Sequence, residues 1–139
     1  MSSGTQTAPV SKTQLWTGRI LSGLGVLFLV FDALIKLIKI RPVVEAFAKL
    51  GYPIDLAVPI GIVLLVCVVL YVIPRSSVLG AIFLTGYLGG AVATHVRVGD
   101  PLFSHALFPT YVAAVLWGGL FLRENRLRAL LPFRSPKVT

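Results

Sequence analysis

The chain alternates between long uncharged apolar runs and short polar joints. Ile20 to Phe31 carries nothing more polar than a serine, and neither Val58 to Ile73 nor Ala106 to Leu122 holds a charge. Ser77 to Val96 has no charged or basic side chain until His95. An α-helix needs about 20 such residues to cross roughly 30 Å of hydrocarbon. The pattern predicts four spans, at about residues 15–38, 55–73, 77–97 and 106–122. Between the first two, Arg41 to Pro53 reads as a short amphipathic helix lying along the membrane surface. Val44, Phe47, Ala48 and Leu50 would form its apolar side, and Gly51 and Pro53 would end it. Pro59 falls in the first turns of the second span, where proline is best tolerated. Pro74, Arg75 and two serines make a tight turn into the third.

The expected class is all-α: an integral, multi-pass four-helix bundle of a bacterial plasma membrane. Residues 1–14 are read as a disordered Ser/Thr-rich tail, 15–124 as the membrane domain and 125–139 as a basic tail. The first apolar segment is too long for a signal-peptide core and is expected to remain as a span. Composition agrees with a membrane setting. The chain is 56% hydrophobic with a mean hydropathy of +0.89, more apolar surface than a soluble domain of 139 residues needs. The net charge of +8 does not make a nucleic-acid patch, because the basic residues flank the apolar runs as topology signals do. Eight of them (Lys12, Arg19, Arg75, Arg123, Arg126, Arg128, Arg134, Lys137) fall on the side of the termini. Five (Lys36, Lys39, Arg41, Lys49, Arg97) fall on the other, which predicts both termini in the cytoplasm. Cys67 is the only cysteine, so no internal disulfide or thiol pair exists, and its apolar run makes it a small buried hydrophobe.

Four glycines lie in the third span. At 100° per residue Gly86, Gly90 and Thr94 form one stripe, with Arg97 about 20° from Gly86, and Gly89 belongs to the stripe beside it. Gly86, Gly89 and Gly90 are therefore predicted to be a close helix-packing face, and a face for homo-oligomer formation. His95 falls on a different side, above Leu84 and Leu88.

Candidate chemistry gathers at one end. Asp32 and Lys36 stand one turn apart, and Asp32 is too deep and too short to reach water, at a cost of roughly 2.5 kcal/mol or more near mid-bilayer. Spans one and three end on the same side, so Asp32, Lys36, His95 and Arg97 are predicted to line one polar pocket opening from the non-cytoplasmic leaflet. The competing reading makes Asp32 and Lys36 a self-neutralising surface pair, His95 an interfacial histidine and Arg97 a headgroup contact. Asp100, before Pro101, reads as a turn former, and His105 as the start of span four. Spacing gives no metal motif, so no metal ligands are assigned. No nucleotide loop, metalloprotease pair or nucleophile elbow is present, and no cofactor motif is evident.

The order FDALIKL, LGYP, VLYVIPR, LGAIFLTGYLGGAVATHVR and LWGGLFLR resembles the DoxX-like family of small four-helix membrane proteins over about residues 15–130. LTGYLGGAVATHVR is the specific part. The resemblance implies that Lys36, Gly86, Gly89, Gly90, His95 and Arg97 occupy family positions. It also implies an association with quinone-linked sulfur oxidation and membrane oxidoreductase complexes, with quinone as the cofactor to consider. Leu64 is a departure, since the family pattern places an acidic residue there. Three functions remain open. They are an accessory subunit of a quinone- or lipid-linked redox system with a membrane or redox partner protein, a non-enzymatic scaffold or chaperone-like module, and a small enzyme with Asp32 or His95 as general base. The lipid bilayer is the partner common to all three, and nucleic acid is a partner in none.

Overall fold

The computed structural model describes residues 11–130; the first ten residues of the expected 1–14 tail and the end of the basic tail, residues 131–139, lie outside the described residues. Six α-helices follow in order: α1 Lys12–Ile38, α2 Arg41–Leu50, α3 Ala57–Val72, α4 Ser77–Arg97, α5 Phe108–Arg123 and α6 Asn125–Leu130. A 3-10 turn, Ile54–Leu56, leads into α3, and a π-helical turn, Leu102–Ala106, leads into α5. With those turns, four helices are long and apolar enough to cross a membrane: Lys12–Ile38, Ile54–Val72, Ser77–Arg97 and Leu102–Arg123.

α1 begins within the segment read as tail. Ser11 and Gln14 form a reciprocal capping box, Gln14 N donating to Ser11 Oγ at 3.1 Å, and this starts the helix at Lys12. At the other terminus, residues 125–130 of the expected basic tail form α6, which buries Leu127 against the bundle.

The spans pack as a ring in the order α1, α3, α4, α5, with α5 returning to α1. Leu29, Ala33, Leu64, Val68, Tyr71, Leu84, Leu88, Leu116 and Leu120 fill its centre. The large apolar side chains left outside, among them Ile20, Leu24, Leu27, Phe31, Val63, Val66, Ile82 and Phe83, are each at least half exposed. In water such a surface would drive aggregation, whereas against acyl chains it is at no disadvantage.

Small residues make the close crossings, and they are not the ones the helical wheel selects. A Cβ on Gly18 would lie 2.6 Å from the Gly119 carbonyl oxygen, and one on Gly119 would meet Ser22. One on Gly25 would strike Leu116, and one on Gly80 would strike the Tyr71 backbone. Around Gly86, Gly89 and Gly90 nothing lies within 4 Å of an added Cβ. The prediction that these three glycines pack a neighbouring helix is corrected within the chain: α4 turns the stripe of Gly80, Ala81, Leu84 and Leu88 inward, and the glycine-rich face looks outward. α2 is corrected in the same way. It is amphipathic, but Val43 and Phe47 are its buried residues, and Val44 is exposed.

Candidate functional site

Three helices end at the same end of the bundle, and each ends in the same way. Gly51, at φ 78°, stops α2: its N–H donates to Ala48 O at 3.2 Å, and Tyr52 N donates to Phe47 O at 2.9 Å. Gly99, at φ 73°, follows α4: its N–H donates to Val96 O, and Asp100 N donates to His95 O, both at 3.1 Å. Lys39, at φ 51°, closes α1 through the matching bonds to Lys36 O and Ile35 O. This double bond pattern brings the second residue past the helix against the residue three positions before the cap. In α1 the two are Ile35 and Ile40, and in α2 they are Phe47 and Tyr52, whose ring centroids are 6.3 Å apart. In α4 they are His95 and Asp100, so a contact that is usually hydrophobic becomes ionic.

The Asp100 side chain is 4% exposed. His95 Nδ1 lies 2.6 Å from Asp100 Oδ2, and Lys49 Nζ of α2 lies 2.8 Å from Oδ1. The His95 ring and the Lys49 ammonium hold the Asp100 carboxyl well below its ordinary range, at about 2. Arg97 donates to the Leu50 carbonyl at the end of α2 and lies over the Tyr52 ring, 6.0 Å from its centroid. Tyr52 OH and Thr94 Oγ1 share a hydrogen bond of 2.9 Å. The connecting helix is thus fastened to α4 at three points. Helix C-termini carry partial negative charge, which favours the cations Lys36, Lys49 and Arg97 here.

Beneath α2, between α3 and α4, lies a chamber of about 330 Å³. Phe47, Ile60, Tyr87 and Ala91 supply apolar wall, and Lys36, Tyr52, Thr94 and His95 supply polar groups. Gly90 forms part of the wall with open space at its α-carbon. Asp32 is ion-paired with Lys36, one turn along α1. The four residues predicted to share a pocket are thus separated by the fold. Lys36 and His95 line the chamber, Asp32 reaches it through Lys36, and Arg97 stands outside as a fastener of α2. Among the described residues neither His95 nor Arg97 joins the Asp32–Lys36 pair.

The sequence reading took Asp100 only as a turn former and gave Lys49 and Tyr52 no part in the site. The signal for Asp100 was present: a glycine after the last turn of α4 places the following residue against His95. His105, on the turn before α5, is exposed and bonds Ser104 Oγ at 2.8 Å. Among the described residues no group of three or more His, Cys, Asp and Glu is placed to hold a metal ion. Leu64, where an acidic residue was the family expectation, is fully buried in the central core, so the chamber has no carboxylate from α3.

These features define a small integral membrane bundle of four spans with an amphipathic chamber at one end. The chain belongs to the DoxX-like family, whose sequence profile matches residues 20–119. No match was found among curated proteins or among solved structures.

Proposed function

We propose that this DoxX-like protein is an accessory subunit of a quinone- or lipid-linked membrane redox system, holding a small lipid-soluble molecule with its polar head in the chamber. The observation that carries this reading is the chamber itself. Its volume of about 330 Å³ is at the lower end for ligand sites, its wall is largely apolar, and two basic groups converge at its polar end. With Nδ1 of His95 on Asp100, Nε2 is the ring nitrogen left for a ligand, and the Lys36 ammonium has three N–H donors of which Asp32 takes one. A quinone carbonyl is an acceptor suited to such groups. The eight-to-five distribution of basic residues supports cytoplasmic termini, which puts the chamber at the non-cytoplasmic face of a bacterial plasma membrane.

The test is binding of decylubiquinone to the purified full chain in nonionic detergent, against Gly90→Phe. A Cβ at Gly90 meets nothing within 4 Å, so the ring is expected to enter the chamber without disturbing the bundle. Wild type should bind, and Gly90→Phe should bind at least about ten-fold more weakly. No binding by wild type, or equal binding by the variant, rules the reading out.

A second reading has its own support. The bare outward face at Gly86 and Gly89 admits another helix backbone closely, as a scaffold or homo-oligomer would require. Cross-linking in intact membranes through cysteines placed at Gly86 would capture such a contact, and only monomer would count against it.

A further inference from the structure

The two basic groups on the chamber wall, Lys36 and His95, each have a carboxylate beside them. Lys36 is matched by Asp32, and Lys49 is matched by Asp100, whose second oxygen receives the His95 ring. The remaining acids of the chain are elsewhere. Glu45 pairs with Arg41 on the exposed side of α2, Asp55 opens the turn before α3, and Glu124 follows α5. Arg97 is exposed, and its guanidinium is engaged by the Leu50 carbonyl and the Tyr52 ring outside the chamber wall. An ionised headgroup entering an apolar cavity loses its hydration, and only a counter-charge that is not already satisfied offsets the loss. Neither sign finds one on the wall, since Arg97 and Lys39, which have no carboxylate partner among the described residues, lie outside its lining. An anion would meet ammonium groups already neutralised, with the Asp32 and Asp100 carboxylates close behind them, and a cation would meet carboxylates already taken.

We infer that the chamber selects an uncharged ligand, and that Asp100 is the residue that sets this selectivity from behind the wall, by holding the lining His95 on one oxygen and Lys49, which stands outside the lining, on the other. The inference rests on the reading of the chamber as a ligand site and adds the charge class of its occupant. Asp100 suits this part because its position is fixed by backbone geometry. The glycine-closed end of α4 holds it against His95, and the buried carboxylate cannot swing away to follow a mobile lysine. Lys49 in turn is 63% exposed and would be free to pair with an incoming anion if the carboxylate were lost.

The experiment compares two probes with similar chains on the full protein in nonionic detergent: decylubiquinone, uncharged, and dodecanoate at a pH where it is ionised. The readout is the ratio of their affinities. Wild type is expected to favour decylubiquinone by at least ten-fold. Asp100→Asn keeps the shape and removes the charge, and should shift the ratio toward dodecanoate by about ten-fold. Adding Lys49→Gln to that variant removes the released cation and should return the ratio toward the wild-type value, a rescue that a merely structural role for Asp100 would not give. Should Asp100→Asn fail to fold, Asp32→Asn, which releases Lys36 at the opposite wall, is expected to shift the ratio in the same direction. Equal affinity of wild type for the two probes, or an unchanged ratio in the folded variants, overturns the selectivity while leaving the ligand site standing. Absence of decylubiquinone binding by wild type overturns both.

Discussion

The two ends of the bundle are built on different terms. At the end holding the start of α1 and the close of α5, backbones meet at Gly18 and Gly119, and the space between is filled by one polar knot. Tyr71, 1% exposed, donates its hydroxyl to Leu116 O at 2.6 Å and shares a 2.8 Å hydrogen bond with Ser22 Oγ. Arg123 donates from Nε to the same serine at 3.2 Å and lies over the Tyr71 ring. Ser77 returns its hydroxyl to Tyr71 O at 2.7 Å, which ties the α3–α4 turn into the knot. At the other end α2 is fastened to the close of α4, Gly90 leaves open space on the wall, and a chamber remains beneath. Tyr71, Ser22, Ser77 and Arg123 close one end because each finds a partner there. Polar groups equip the other because His95 and Lys36 each keep donor or acceptor capacity facing a cavity. Polar residues in a membrane bundle are therefore read by how completely their bonds are used, rather than by their number.

The largest expected effect tests the closed end. Gly80→Leu drives a side chain into the Tyr71 backbone, which cannot move aside as a flexible side chain would, and should cost about 3 kcal/mol or more. The check is recovery of monodisperse protein and its thermal midpoint in detergent. Gly86→Leu, on the same helix in open space, should leave both nearly unchanged. Comparable loss in the two variants would contradict the assignment of inward and outward faces. Tyr71→Phe is expected to be milder. It removes the hydroxyl that links Ser22 to the Leu116 carbonyl while leaving Ser22 its bond from Arg123, and interhelical hydrogen bonds in membranes are worth about 1 kcal/mol each. A midpoint within error of wild type would mean the knot contributes nothing to closure.

The smallest effect belongs to the open end and depends on pH. The Asp100 carboxyl sits at about 2 when folded and near its ordinary 3.8 when unfolded, so it binds protons more readily in the unfolded chain. Its contribution to stability is complete above about pH 4 and is lost as the pH falls toward 2. Thermal midpoints of wild type and Asp100→Asn should differ most near neutrality and converge in that acid window. A difference that stays constant down to pH 2 would show that the pairs with His95 and Lys49 do not form in solution.

The spans were legible because lipid imposes a length and a hydropathy that a linear pattern records directly. The stop of α2 at Gly51 was legible because a left-handed cap asks for glycine. Which stripe of α4 faces inward was not. Glycines at i and i+4 look the same on a helical wheel whether they admit a neighbouring helix or border an empty space. Inward orientation is decided instead by Gly80, an isolated glycine one residue before Ala81, because the short turn at Pro74 forces α4 close against Tyr71. The polar pocket was legible as to which end it occupies, since alternating spans fix which helix ends meet. Its membership was not. Arg97 shares a face with Gly86, yet its long side chain reaches around to α2, and Asp100 was read as a turn former when the same turn delivers it to His95.

The connecting helix has a core of its own. Val43, Phe47 and Ala57 pack with Ile35, Ile40, Ile54 and Ile60 in a cluster separate from the one at the centre of the ring. Two clusters that share no buried side chain need not melt together, and α2 is expected to open at lower cost than the ring of spans. Amide exchange along α2 is then expected to run ahead of that in α3 and α5, whose buried side chains belong to the larger cluster.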